Sequence, residues 1–166
     1  MRTLLVLRHA KSGYPDGVVD HDRPLADRGI REAALAGDWI RDNAPAVDAV
    51  LCSTATRTRQ TLERTGIAAP VRYVERIYDA TPGAVIAEIN RVPSYFPAPV
   101  HTLLVVGHEP AVSAVALGLA DDQNPEAAAE MSLKFPTSAI AMLRTAAAWP
   151  DLALHGAELA TFHVPR

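Results

Sequence analysis

Two short apolar runs, Thr3-Leu4-Leu5-Val6-Leu7 and Thr102-Leu103-Leu104-Val105-Val106, each stop at a histidine. Arg8-His9 follows the first and Gly107-His108 the second. Unbroken Leu/Val runs of this length read as strands buried on both faces, the habit of parallel sheets. Elsewhere the period lengthens. From residue 27, Ile30, Ala33, Ala34, Gly37 and Ile40 keep one face apolar, while Arg28, Arg31, Glu32, Asp38 and Arg41 lie elsewhere, so a helix is predicted that Asn43 and Pro45 end. A second strand over 48–52 precedes a helix capped by Ser53 or Thr54, running to about Thr65 and stopped by Gly66. A weaker strand over 71–74 follows, then a helix over 83–91 opened by the Thr81-Pro82 cap. Pro93, Pro97 and Pro99 make a rigid connection, Pro110 starts a helix to about Ala120, and 121–130 is a polar connection. Residues 138–143 and 158–164 supply two closing strands. Strands alternating with helices imply right-handed crossovers, a mostly parallel sheet covered on both faces, and one α/β domain over residues 1–166.

Composition removes several function classes. One cysteine, Cys52, excludes an intramolecular disulfide scaffold. A formal charge of −3 gives no polybasic character for nucleic acid. No apolar stretch approaches a signal sequence or a membrane span, so a soluble cytoplasmic protein is expected. The cations are lopsided: 14 of 16 are arginine and 13 of 16 fall within residues 1–91. Arginine grips phosphate oxygens in pairs, which makes anion recognition one explanation and plain compositional bias the other.

In an open α/β sheet, ligands bind outside the carboxyl ends of the strands. Three predicted strands end in Arg8-His9, in Ser53-Thr54-Ala55-Thr56-Arg57 and in Gly107-His108, so two histidines and two arginines can share one crevice. Arginines beside His9 would repel a divalent cation, and neither histidine has a zinc-type partner at close spacing; the ligand expected is a phosphate, with no metal and no cofactor. The chain contains neither a P-loop nor a dinucleotide-binding glycine motif. Cys52 and Arg57 stand one residue too close for a cysteine-phosphatase loop, and Cys52 sits in an apolar strand as an inert thiol. Histidine remains as the nucleophile, an imidazole nitrogen attacking phosphorus.

Arg8-His9-Ala10 resembles the Arg-His-Gly signature of the histidine phosphatase, or phosphoglycerate-mutase-like, superfamily. The stretch Ser53-Thr54-Ala55-Thr56-Arg57-Thr58-Arg59-Gln60-Thr61 resembles its second element and Gly107-His108 its second histidine. Asp22-Arg23-Pro24-Leu25-Ala26-Asp27-Arg28-Gly29, after Arg8-His9-Ala10-Lys11-Ser12, looks most like the small phosphohistidine phosphatase branch called SixA. The resemblance spans about residues 3–120 in order. Ala10 departs from glycine, tolerable where backbone φ is negative. Thr54 and Thr58 replace proline and alanine, and the helical acid of the mutases is not evident.

The resemblance implies a three-layer, phosphoglycerate-mutase-like fold. It makes His9 the nucleophile, surrounds the phosphoryl oxygens with Arg8, Arg57 and His108, and offers Lys11 and Ser12 as further phosphate contacts. Asp22 and Arg23 would order the loop by pairing with each other. Candidates for an acid to protonate the leaving group are Glu75, Asp79 and Glu109, each near a strand end or the loop after it. The expected activity is hydrolysis of phosphohistidine on a protein, or of a related phosphomonoester, through phospho-His9. The alternatives are a phosphatase of small sugar or nucleoside phosphates and a non-catalytic phosphate-binding module.

Overall fold

The computed structural model describes residues 1–166. Six strands form one sheet: β1 (Arg2–Arg8), β2 (Ala49–Ser53), β3 (Val71–Val74), β4 (Thr102–Gly107), β5 (Ile140–Thr145) and β6 (Glu158–His163), in the order β3-β2-β4-β1-β5-β6. The first four are mutually parallel, while β5 and β6 run antiparallel at one edge. The mostly parallel α/β fold expected from the alternation is therefore present.

Side chains of β1 alternate between faces, as the pleat requires. Leu4 and Val6 join Leu51, Leu103 and Val105 in one core cluster, whereas Leu5 and Leu7 join Val50, Cys52, Leu104 and Val106 in the other. Helices α1 (Asp27–Asn43) and α2 (Thr56–Thr65) cover the second face through Ala36, Ile40 and Leu62. On the first face lie α3 (Pro82–Asn90), the short α4 (Val92–Tyr95), α5 (Ala111–Leu119) and α6 (Pro125–Leu133), which bury Val85, Ile89, Val92, Val112, Val115 and Met131. Three layers result.

Two glycines let the second-face helices approach closely. A Cβ on Gly37 would lie 2.1 Å from the Thr65 carbonyl oxygen, and one on Gly29 would lie 2.1 Å from that of Lys11. The second contact seats the first turn of α1 directly on the loop after His9. Gly66 ends α2 in the left-handed conformation, as its position predicts.

Three local expectations need correction. Residues 121–130 are not wholly a polar connection: Asn124 accepts the Ala127 N–H at 3.3 Å, Pro125 takes the first helical position, and α6 follows. Neither Ser53 nor Thr54 caps α2. Ala55 holds that position without a side-chain bond; two residues before it, Ser53 Oγ accepts the Ala55 N–H at 3.3 Å and lies against His108, while Thr54 Oγ1 lies against His21. Residues 92–95, within the proline-rich connection, form α4.

Candidate active site

Arg8 is in register with Gly107 across the parallel β1–β4 pair, and the His9 N–H extends that ladder by donating to the Gly107 carbonyl at 3.0 Å. His9 and His108 thus leave adjacent strand ends side by side, ring centroids 5.2 Å apart. Ser53, last residue of the neighbouring β2, places its Oγ 2.8 Å from His108 Nε2. Arg57 stands in the first turn of α2, which that strand feeds.

His9 Nδ1 lies 2.8 Å from the Ala10 carbonyl oxygen. A carbonyl only accepts, so Nδ1 carries the proton and Nε2 keeps its lone pair. The Ala10 N–H donates to Thr61 Oγ1 at 2.9 Å, and that hydroxyl donates to the Arg57 carbonyl at 2.6 Å, fastening the loop to α2. Ala10 is not among the residues of positive φ, which explains why alanine is accepted there.

Arg8 donates from Nη1 to the Phe135 carbonyl at 2.8 Å. Arg57 donates from Nη1 to the Asp20 carbonyl at 2.8 Å and from Nη2 to Asp20 Oδ2 at 3.1 Å. Five buried side-chain nitrogen or oxygen atoms in the chain lack a hydrogen-bond partner, and Arg8 Nε, Arg57 Nε and His108 Nδ1 are three of them. Buried polar groups are nearly always paired, and these three unpaired nitrogens belong to residues at the strand ends and helix start around His9. A fourth, Ser138 Oγ, belongs to a residue whose N–H reaches the Arg8 and His9 carbonyls.

A cavity of about 320 Å³ opens beside Arg57 and His108, lined also by Asp20, Tyr78, Asp79 and Glu109. Asp79 and Glu109 are therefore near the site. Glu109 accepts the Ser113 N–H at 2.6 Å and its O–H at 2.7 Å, so its carboxylate caps α5. Glu75 lines a different depression with Arg72, Arg76 and Arg91. Lys11 is exposed, its Nζ 5.9 Å from the centre of the Tyr14 ring. Ser12 is buried but accepts from Arg23 Nη1 at 2.6 Å.

Asp22 does not pair with Arg23. A short 3-10 helix over Asp20–Asp22 puts Asp20, three residues back, against the guanidinium at 3.0 Å, while Asp22 faces His21. Asp20 and Tyr78 were not foreseen: the Tyr78 O–H donates to Asp20 Oδ2 at 2.6 Å. That bond, with those from Arg23 and Arg57, holds the Asp20 carboxyl well below the usual carboxylate range. Only the i,i+3 spacing of Asp20 and Arg23 hints at any of this in sequence.

Burial pushes His9 down to about 4, helped by the positive charges of Arg57 and Arg8, and His108 down to about 3 by burial, His9 and Arg57. Both rings are neutral at pH 7. A nuclear magnetic resonance titration of the free protein is expected to give His9 a midpoint near 4, with protonation only below it. A bound dianion favours the imidazolium and moves the midpoint upward. A free-protein midpoint near the ordinary histidine value of about 6.5 would mean that the ring is not desolvated.

Residues 4–85 match the family model of the histidine phosphatase superfamily (branch 1). An uncharacterized protein of Mycobacterium tuberculosis is 63% identical over 162 residues, covering 96% of this chain and all of that protein. A solved structure of a proposed SixA phosphohistidine phosphatase from Nakamurella multipartitia is 43% identical with a TM-score of 0.86, covering 99% of this chain and 96% of its own. The chain belongs to the histidine phosphatase superfamily. Membership carries phosphatase, hence hydrolase, chemistry, and the three-layer fold is the phosphoglycerate-mutase-like one. The superfamily model takes in Arg8, His9 and Arg57 and ends before His108, whose place the solved structure's coverage includes. The phosphohistidine phosphatase SixA of Escherichia coli K12 is 28% identical over 143 residues, 83% of this chain and 82% of its own.

Proposed function

We propose that residues 1–166 act as one phosphohistidine phosphatase domain, cleaving the P–N bond of a phosphorylated protein through a phospho-His9 intermediate and without a metal. The observation that carries this reading is the free Nε2 of His9, with unpartnered buried nitrogens on Arg8, Arg57 and His108 around it in the fold. The SixA names of the two relatives support the substrate class.

In the first step Nε2 attacks phosphorus, the P–N bond to the substrate imidazole breaks, and the leaving nitrogen takes a proton. Arg8, Arg57 and His108 meet the oxygens as charge spreads over them. In the second step water attacks phospho-His9, releasing orthophosphate and restoring the imidazole. Glu109 is committed to Ser113, which leaves Asp79 and solvent to protonate the leaving group. An imidazole leaves readily once protonated, so a P–N substrate suits a site with no firmly held acid.

The deciding experiment compares turnover of a phosphohistidine protein with that of sugar phosphates, nucleoside phosphates and a chromogenic phosphomonoester. The phosphohistidine protein is expected to have the highest kcat/KM. Faster turnover of a sugar or nucleoside phosphate would favour the small-molecule reading, and no turnover of any substrate would favour a binding module. No group of three or more His, Cys, Asp or Glu is placed to hold a metal ion, and the arginines supply the positive charge that a metal would otherwise bring. Chelator is accordingly expected to leave the rate unchanged; a large loss restored by one added metal would overturn that part of the proposal.

No helix is long and apolar enough to cross a membrane. Cys52 is unpaired and buried, its thiol pushed up to about 12 by burial. An unpaired thiol suits a reducing compartment, and we place the enzyme in the cytoplasm.

A further inference from the structure

We propose that Asp20 is a positioning residue of the reaction: it fixes the plane of the Arg57 guanidinium so that the remaining nitrogen, Nε, addresses the phosphoryl group. Both terminal nitrogens of Arg57 are taken by this one residue, Nη1 by its carbonyl at 2.8 Å and Nη2 by its carboxylate at 3.1 Å. The guanidinium is planar, so two fixed nitrogens fix the third. That third nitrogen is the buried, unpartnered one. Asp20 is itself held from two other sides. Tyr78 donates to Oδ2 at 2.6 Å and Arg23 Nε donates to Oδ1 at 3.1 Å, while Arg23 is anchored by Ser12 Oγ and the Gly13 carbonyl. The loop after His9 thereby sets the arginine carried by α2, which ties two separate elements into one geometry.

An ionised carboxylate beside Arg57 also has an electrostatic effect. It offsets part of the arginine's charge and so weakens the hold on a phosphate dianion, including the product. Removing the carboxylate should therefore move two quantities in opposite directions. Turnover should fall because Arg57 loses its alignment, and inorganic phosphate should bind no less tightly because a negative neighbour is gone. A role in stability alone would weaken both together.

The inference rests on Arg57 acting at the phosphoryl group, so the experiment carries that control within it. Asp20→Asn and Asp20→Ala are measured for kcat, KM and inhibition by inorganic phosphate, alone and in an Arg57→Lys background, with circular dichroism for folding. The amide replaces one accepting oxygen by a donor, so it cannot satisfy Arg23 on one side and both Arg57 and Tyr78 on the other. The expected result is a fall in kcat on the order of 10-fold to 100-fold, the scale of a small misplacement of a catalytic group. Phosphate inhibition should tighten roughly 3-fold, the worth of one nearby charge in a wet site. Little further loss is expected in the Arg57→Lys background, because the two residues act as one unit. The proposal is overturned by a kcat within two-fold of the parent, by phosphate affinity falling in step with kcat, or by an equal loss in both backgrounds. An Arg57→Lys variant with unaltered turnover would show instead that the site reading beneath it has failed.

Discussion

Replacing His9 with alanine is expected to lower kcat by about 10⁴-fold or more, the scale seen when a nucleophile is removed and only binding groups remain. The ring is buried, but its neighbours are polar, the His108 ring at 5.2 Å between centroids and the Ala10 carbonyl at 2.8 Å, so no apolar core contact depends on it. The backbone bonds that locate residue 9, to Gly107 and from Ser138, do not use the side chain. The variant should therefore fold, giving the parent circular dichroism spectrum. Brief incubation with labelled substrate and quenching in alkali should trap acid-labile phosphate on the parent chain and none on His9→Ala. Equal labelling of both proteins would remove His9 from the nucleophile's role.

Arg57→Lys is the second large effect, with kcat expected to fall about 100-fold, the scale of losing one preorganised donor to transition-state charge. Lysine keeps the charge but not the planar fork, and its single nitrogen cannot stand at once where Nη1 and Nη2 meet the Asp20 carbonyl and carboxylate and where Nε lies. On the proposed chemistry Arg8 and His108 still meet the ground-state phosphate, so KM should change less than kcat. Steady-state kinetics with a folding check measures this. Turnover within a few-fold of the parent would make Arg57 a structural arginine pinned by Asp20 and nothing more.

The strand ends were legible because their signals are contiguous. Leu/Val runs that stop at Arg8-His9 and at Gly107-His108 state both the sheet and the side on which its chemistry collects. The helix at Pro125–Leu133 was legible in principle, since Asn124-Pro125 is a cap followed by the helix's first position. Its alanines and glutamates gave too weak an apolar stripe to outweigh the polar residues before it. Asp20 lay beyond reach for a different reason. Its partners Arg57 and Tyr78 stand 37 and 58 residues away, and no local pattern reports a bond across that distance. The same holds for Glu75 and Asp79, equally plausible acids in a linear reading. The short 3-10 helix over Glu75–Ile77 leaves one in a neighbouring depression and the other in the cavity with His108.

Because the Ala10 carbonyl occupies one ring nitrogen of His9, only the other can accept phosphorus. The two N-phosphorylated forms of histidine are distinct regioisomers, and the backbone selects between them before any substrate arrives. On the proposed chemistry the enzyme-bound species is a single compound phosphorylated at Nε2. Transfer from either isomer of a substrate phosphohistidine would then pass through that same compound, erasing the identity of the donor nitrogen.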